Sequence, residues 1–174
     1  MTPPSPGGLA GFGVMLIDTP SPENRVRLDA QQEPEVVYSL SSADKARFRQ
    51  GVAEAVRVMF RAGAKQVLLP TNENLLGGSS TELAPMLLTN IHQADQVEKN
   101  LQFIPNRSIV TSAHMQATNK MGSSPANSVV GTDFRVWGTE GLYAVDGSVF
   151  PTSIGANPMQ SIYTFAKLFA DQRR

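Results

Sequence analysis

Helical periodicity is confined to a few stretches of this chain, and turn chemistry fills much of the rest. Along ADKARFRQGVAEAVRVMFRAG the apolar residues Phe48, Val52, Ala55, Val56, Met59 and Phe60 recur at helical spacing. Arg47, Arg49, Glu54 and Arg57 fall largely on the opposite side. Ser41 or Ser42 suits the N-cap, with Asp44 three residues after Ser41 as a variant of the capping box, and Gly63 suits the C-cap. The spacing predicts a helix over 42–62. A second amphipathic run follows Asn157-Pro158, where Met159, Ile162, Tyr163, Ala166, Phe169 and Ala170 share one helical face. Pro158 suits the first helical position, where its missing N–H costs nothing. A short helix fits around 93–102. Residues 115–134 are rich in Asn, Ser, Gly and Thr and read as loop. With 14 glycines and 12 prolines, the chain is predicted to be loop-rich rather than a helix bundle.

Strand signals are short. Gly11–Asp18 reads as a buried strand closed by Thr-Pro-Ser-Pro. Asn24–Asp29 alternates, with Val26 and Leu28 on one face and Arg25 and Arg27 on the other. Glu35–Leu40 reads as a third strand of the same small antiparallel sheet. Lys65–Leu69 reads as a strand stopped by Pro70, and Ile109-Val110 as a strand end. Phe134–Trp137 and Leu142–Val145 are two more short strands, the second ending at Asp146-Gly147. The first ten residues, Asn72–Asn74, Gly77-Gly78 and Ser79-Ser80 carry loop chemistry. Helices with small antiparallel sheets make the fold class α+β.

Composition excludes whole classes of function. Lys+Arg and Asp+Glu both number 15, so the net charge is zero and no basic face for nucleic acid is expected. The absence of cysteine removes disulfides, thiolate metal sites and cysteine nucleophiles together. Only His92 and His114 are present, which argues against a multi-histidine metal site. No apolar run approaches the ~18 residues of a membrane span. No signal peptide is visible at the N-terminus, and the compartment is unassigned, cytoplasmic by default.

Two segments could carry chemistry: TSAHMQATNKMG at 111–122 and RVWGTEGLYAVDGSVFPTSIGANPMQSIYTFAKLFA at 135–170. In the second, a strand ending at Asp146-Gly147 feeds a loop and then a helix start. Free N–H groups and the helix dipole there favour an anion or an electron-rich carbonyl. Gly147 would let a ligand approach the backbone. The same pattern fits an ordinary strand–loop–helix connection with Asn157 as N-cap. A lone histidine beside Ser and Ala is more often a surface or core residue than a base, although imidazole suits proton transfer near neutral pH.

The run RVWG…GLYAVDGSVFPTSIGANPM closely resembles the C-terminal signature of the glucose–methanol–choline (GMC) family of FAD-dependent oxidoreductases, most of all its cholesterol oxidase and long-chain alcohol oxidase branches. His114, Thr118, Met121 and Gly122 resemble that family's histidine motif, and NRVRLD…EVVYSLSSADKARFRQGVAEAVRVMFRAGA its substrate-domain passage. The resemblance implies a chain made of part of an α/β FAD-binding fold plus an antiparallel substrate-domain sheet with helices. Residues 1–108 would belong to the substrate-binding domain and residues 109–174 to the return into the FAD-binding domain. It implies that His114 accepts the hydroxyl proton of an alcohol, bulky or sterol-like by the branch resemblance alone, that Asn157 hydrogen-bonds the substrate oxygen, and that hydride passes to flavin N5. Asp146 and Gly147 would touch the ribityl–phosphate portion of FAD. Asn157, Pro158 and the Met159 backbone would face the flavin N1/C2 carbonyl. No metal is implied.

Three residue-level departures stand out. Ala117 replaces the usual glycine three residues after the histidine, Asn119 replaces a small residue, and the stretch from His114 to Asp146 is a few residues longer than in cholesterol oxidases. The G-x-G-x-x-G fingerprint of the N-terminal βαβ dinucleotide unit is missing. A partner N-terminal FAD-binding half is therefore expected. The alternative is a stand-alone, non-enzymatic module that binds an apolar ligand or partner without FAD.

Overall fold

A computed structural model describes residues 8–77 and 86–173. The loop expectations for residues 1–7, Gly78 and Ser79-Ser80 lie outside the described residues. The chain forms two compact units. One contains Ser42–Val110 and the segment ending at Leu16; the other contains Ile17–Ser41 and the chain from Thr111 onward. The secondary structure is α+β, with helices and two separate two-stranded antiparallel sheets.

The first unit is built on α1 (Ser42–Arg61). Its periodic apolar face places Ala53 and Val56 in the core, with Val52, Met59 and Phe60 packed around them. The helix closes in a Schellman pair: Gly63 (φ 96) donates to Phe60 O and Ala64 to Met59 O. Strand β3 (Val67–Leu69) pairs with β4 (Met86–Leu88), in the register Val67↔Leu88 and Leu69↔Met86. Helix α2 (Gln93–Asn100) buries Ala94 and Val97 in the same cluster, beside Leu75, Leu88 and Leu101. Arg57 on α1 reaches Asp95 at 2.6 Å and Glu98 at 3.1 Å on α2, and Glu54 at 2.6 Å on its own helix. Those three carboxylates, Asp95 first, hold its guanidinium above the ordinary arginine range.

Glu73 is buried in this unit, and its carboxylate is fully engaged. It accepts the N–H of Gln102 (2.7 Å), the N–H of Ile104 (2.9 Å) and the Ser108 hydroxyl. It thereby ties the segment after β3 to the segment after α2, which also meet at the Thr71↔Ser108 bridge.

The second unit holds the ribbon of β1 (Arg25–Leu28) and β2 (Pro34–Val37). Its core gathers Val130, Phe134, Val149 and Phe150. Phe134 packs edge-on against Phe165 and Phe169 of α3 (Met159–Asp171), at 5.7 and 5.9 Å between ring centres. Beyond α3, the Arg173 guanidinium lies 3.7 Å above the Tyr143 ring, closing the helix end onto the 135–145 turn.

Several local expectations change. Gly11–Asp18 is irregular rather than a buried strand, and Phe12, Met15 and Ile17 are exposed. No described strand pairs with it, and an unpaired apolar run has no ladder to stabilise it. The β1–β2 ribbon forms with Val26 facing Val36, but β1 is exposed along its whole length because no described layer covers it. The 134–137 and 142–145 pair shrinks to the single bridge Arg135↔Tyr143, and Ile109-Val110 forms no strand. Pro158 takes the cap position, so α3 begins at Met159 and Asn157 is not its N-cap. Strand β4 arises from a stretch that the sequence pattern left without an assigned element. No described helix is long and apolar enough to cross a membrane.

Candidate active site

The second unit positions every candidate residue through two loops and a helix start. The loop 113–121 runs beside the short 3₁₀ turn Gly147–Val149. Asn119 N–H donates to Ser148 O and Met121 N–H to Val149 O, both at 3.0 Å, and the Asn119 amide donates to the Ser148 hydroxyl at 2.9 Å. Asp146 caps the turn by accepting the Ser148 N–H at 2.8 Å. At Gly147 the close approach is made by the chain itself: an added Cβ would stand 2.9 Å from the Met115 carbonyl oxygen.

The bend in the histidine loop is strained. Ala117 has φ 67 and Thr118 φ 81, a left-handed pair without glycine. That bend turns the chain so that His114 lies across from the start of α3. The opposing loop reaches Asn157 through Gly155, whose φ of 69 suits a residue without Cβ.

His114, Asn157, Pro158 and Met159 line one cavity of about 360 Å³, together with Ile162 and Tyr163. Asp146 and Gly147 line a second cavity of about 230 Å³ with Met115, Gln116, Ala117 and Thr118. Ile162 Cδ1, on the wall of the first cavity, is 3.5 Å from the Cβ position of Gly147, which lines the second.

The polar groups of the first cavity are available. Among the described residues no group hydrogen-bonds the His114 imidazole or the Asn157 side chain. Pro158 offers no side-chain cap, and the backbone N–H groups of Met159, Gln160 and Ser161 precede the first helical bond, Ile162 N–H to Pro158 O. These amides and the dipole of a 13-residue helix direct positive potential at the cavity mouth. A half-buried imidazole, a side-chain amide and a helix amino end thus converge on one cavity. That set can take a proton, orient a hydroxyl oxygen and favour developing negative charge.

Ile162 and Tyr163 were expected on the apolar face of the helix but not in the site. Their positions three and four residues after Met159 put them on its helical face, and that spacing was the available signal. Gln116 was missed as well, and nothing local to its sequence marks it.

The C-terminal-domain sequence model of the GMC oxidoreductases matches residues 20–166. The chain belongs to the GMC oxidoreductase family. A long-chain-alcohol oxidase of Arabidopsis thaliana is 27% identical over 133 residues, a match covering 74% of this GMC chain and 17% of that protein. An uncharacterized GMC-type oxidoreductase of Mycobacterium tuberculosis is 26% identical over 164 residues, covering 94% of this chain and 24% of the relative. The chain therefore spans a quarter or less of the length of these relatives. Among solved structures, pyridoxine 4-oxidase from Mesorbium loti matches with a TM-score of 0.50 and 21% identity, over 84% of this chain and 26% of that one. That likeness shows a shared fold for this GMC segment.

Proposed function

We propose that this chain is the catalytic C-terminal part of an FAD-dependent oxidoreductase that converts the CH–OH group of an alcohol to a carbonyl. The observation that carries the reading is the meeting of His114, Asn157 and the α3 amino end on one cavity. Two kinds of relative, the long-chain-alcohol oxidase and the GMC-type oxidoreductase, agree with that chemistry.

The residues fit the flavin on their own chemistry. The unpaired amides at the start of α3 suit an electron-rich carbonyl edge that gains negative charge on reduction. The Asp146 carboxylate is exposed at the second cavity, where it can accept hydrogen bonds from ribityl hydroxyls. When bound, FAD supplies the hydride acceptor, at its N5, for the carbinol carbon. His114 takes the hydroxyl proton through an imidazole nitrogen that no described residue occupies. Asn157 donates its amide N–H to the substrate oxygen and holds the hydroxyl toward His114. Met159, Ile162 and Tyr163 wall the cavity with apolar surface, which suits an alcohol with a hydrocarbon body. The domain assignment expected from sequence follows the same reading: 1–108 with the substrate-binding domain, 109–174 with the FAD-binding domain.

The test is co-expression with a GMC N-terminal half that supplies the dinucleotide unit. A purified complex with a flavin absorbance band that bleaches on anaerobic addition of 1-dodecanol or cholesterol is the expected result. A complex that assembles yet holds no flavin would overturn the reading. It would favour a module that binds an apolar ligand without the cofactor.

A further inference from the structure

We infer that Gln116 is a positioning residue, which fixes the His114 loop against the segment leading to Asn157. The inference rests on the reading of His114 as proton acceptor. Gln116 Oε1 accepts the N–H of Ile154 at 3.1 Å, and its Nε2 donates to the His114 carbonyl at 3.4 Å. The two partners fix the amide orientation, because one is a donor and the other an acceptor. Ile154 stands three residues before Asn157, and His114 two before Gln116. One side chain thus joins the two backbone arms that bring the imidazole and the asparagine to their common cavity.

Nothing else does this by hydrogen bonding. Among the described residues, the Gln116–Ile154 bond is the one hydrogen bond that ties 111–116 to the rest of the unit. The backbone anchors of the loop, at Asn119 and Met121, come after the left-handed pair Ala117-Thr118. A strained bend persists only where the structure on both sides of it holds it in place. On the His114 side that hold is Gln116, backed by the packing of the Met115 carbonyl on Gly147.

The consequence is geometric, since a shift near 1 Å in a reacting group can cost about a hundredfold in rate. In the flavin-loaded protein with 1-dodecanol as probe, Gln116→Ala and the volume-preserving Gln116→Met should each lower kcat about 10- to 100-fold, with KM within about threefold. A second readout needs no cofactor. In the histidine NMR spectrum of the chain, Gln116→Ala and Gln116→Met should move the His114 imidazole signal and leave that of His92 in place. The inference is overturned if His114→Ala abolishes turnover while both Gln116 variants keep kcat within threefold and leave the His114 signal unmoved. If His114→Ala itself keeps full turnover, the proposed function fails, and the NMR shift still decides whether Gln116 holds His114.

Discussion

The carbonyl oxygen of Met115 lies 2.9 Å from the point where Gly147 would carry a Cβ. A side chain at 147 must therefore push a backbone atom of the histidine loop, and a backbone atom cannot rotate away. Gly147→Ala is expected to lower stability by about 1–3 kcal/mol, the usual range for overpacking. Urea denaturation with an unchanged m-value checks it. Wild-type stability would show that the loop and the Gly147 turn do not touch.

Ala117 occupies a left-handed conformation in which a Cβ costs roughly 1–2 kcal/mol. Glycine there loses roughly 0.4–1 kcal/mol through the unfolded chain. Ala117→Gly is therefore expected to raise the denaturation midpoint, by an amount worth about 1 kcal/mol or less. A fall in the midpoint would contradict the positive φ. The sequence comparison with the GMC pattern marked this residue as a departure from glycine, and the backbone angle gives the physical meaning of that departure.

Glu73 is 3% exposed and accepts two backbone N–H groups and a hydroxyl. Glu73→Gln keeps the shape but turns an amide NH₂ toward one set of donors. The expected cost is about 2–3 kcal/mol, since hydrogen bonds to a charged partner and a newly unsatisfied buried group both contribute. Thermal unfolding measures it, and a change under about 0.5 kcal/mol would sink the assignment.

Arg57 joins α1 to α2 through Asp95 and Glu98. Its folded-state affinity for the proton is raised, so its contribution is fully present below the ordinary arginine range and is lost only at strongly alkaline pH. Arg57→Met is expected to lower Tm, and the loss should shrink in 1 M salt, where the Debye length falls to about 3 Å. An equal loss at low and high salt would show that packing, not charge, carries the effect.

Much of the scaffold was legible where a periodic pattern had a described partner to pack against. The α1 face and the Gly63 stop match the observed helix within one residue, because Val56 and Ala53 bury against α2 and β3. The pattern at Gly11–Asp18 failed for the converse reason: a short apolar run has no ladder to hold it as a strand where no described strand pairs with it. The family resemblance put His114 and Asn157 on one substrate hydroxyl, whereas composition, periodicity and spacing held nothing to bring them together. Their meeting depends on left-handed Ala117 and Thr118, on the Gly147 contact and on the Gln116 bridge, none of which has a periodic signature.

The most direct measurement is the rate of anaerobic flavin reduction by 1-dodecanol in the co-expressed, FAD-loaded protein, compared between the parent chain and His114→Ala. Loss of the proton acceptor should slow reduction by about 10²–10⁴-fold, with the flavin still bound and its spectrum unchanged. Reduction by His114→Ala within about threefold of the parent rate would contradict the role of His114, and with it the central reading of this site.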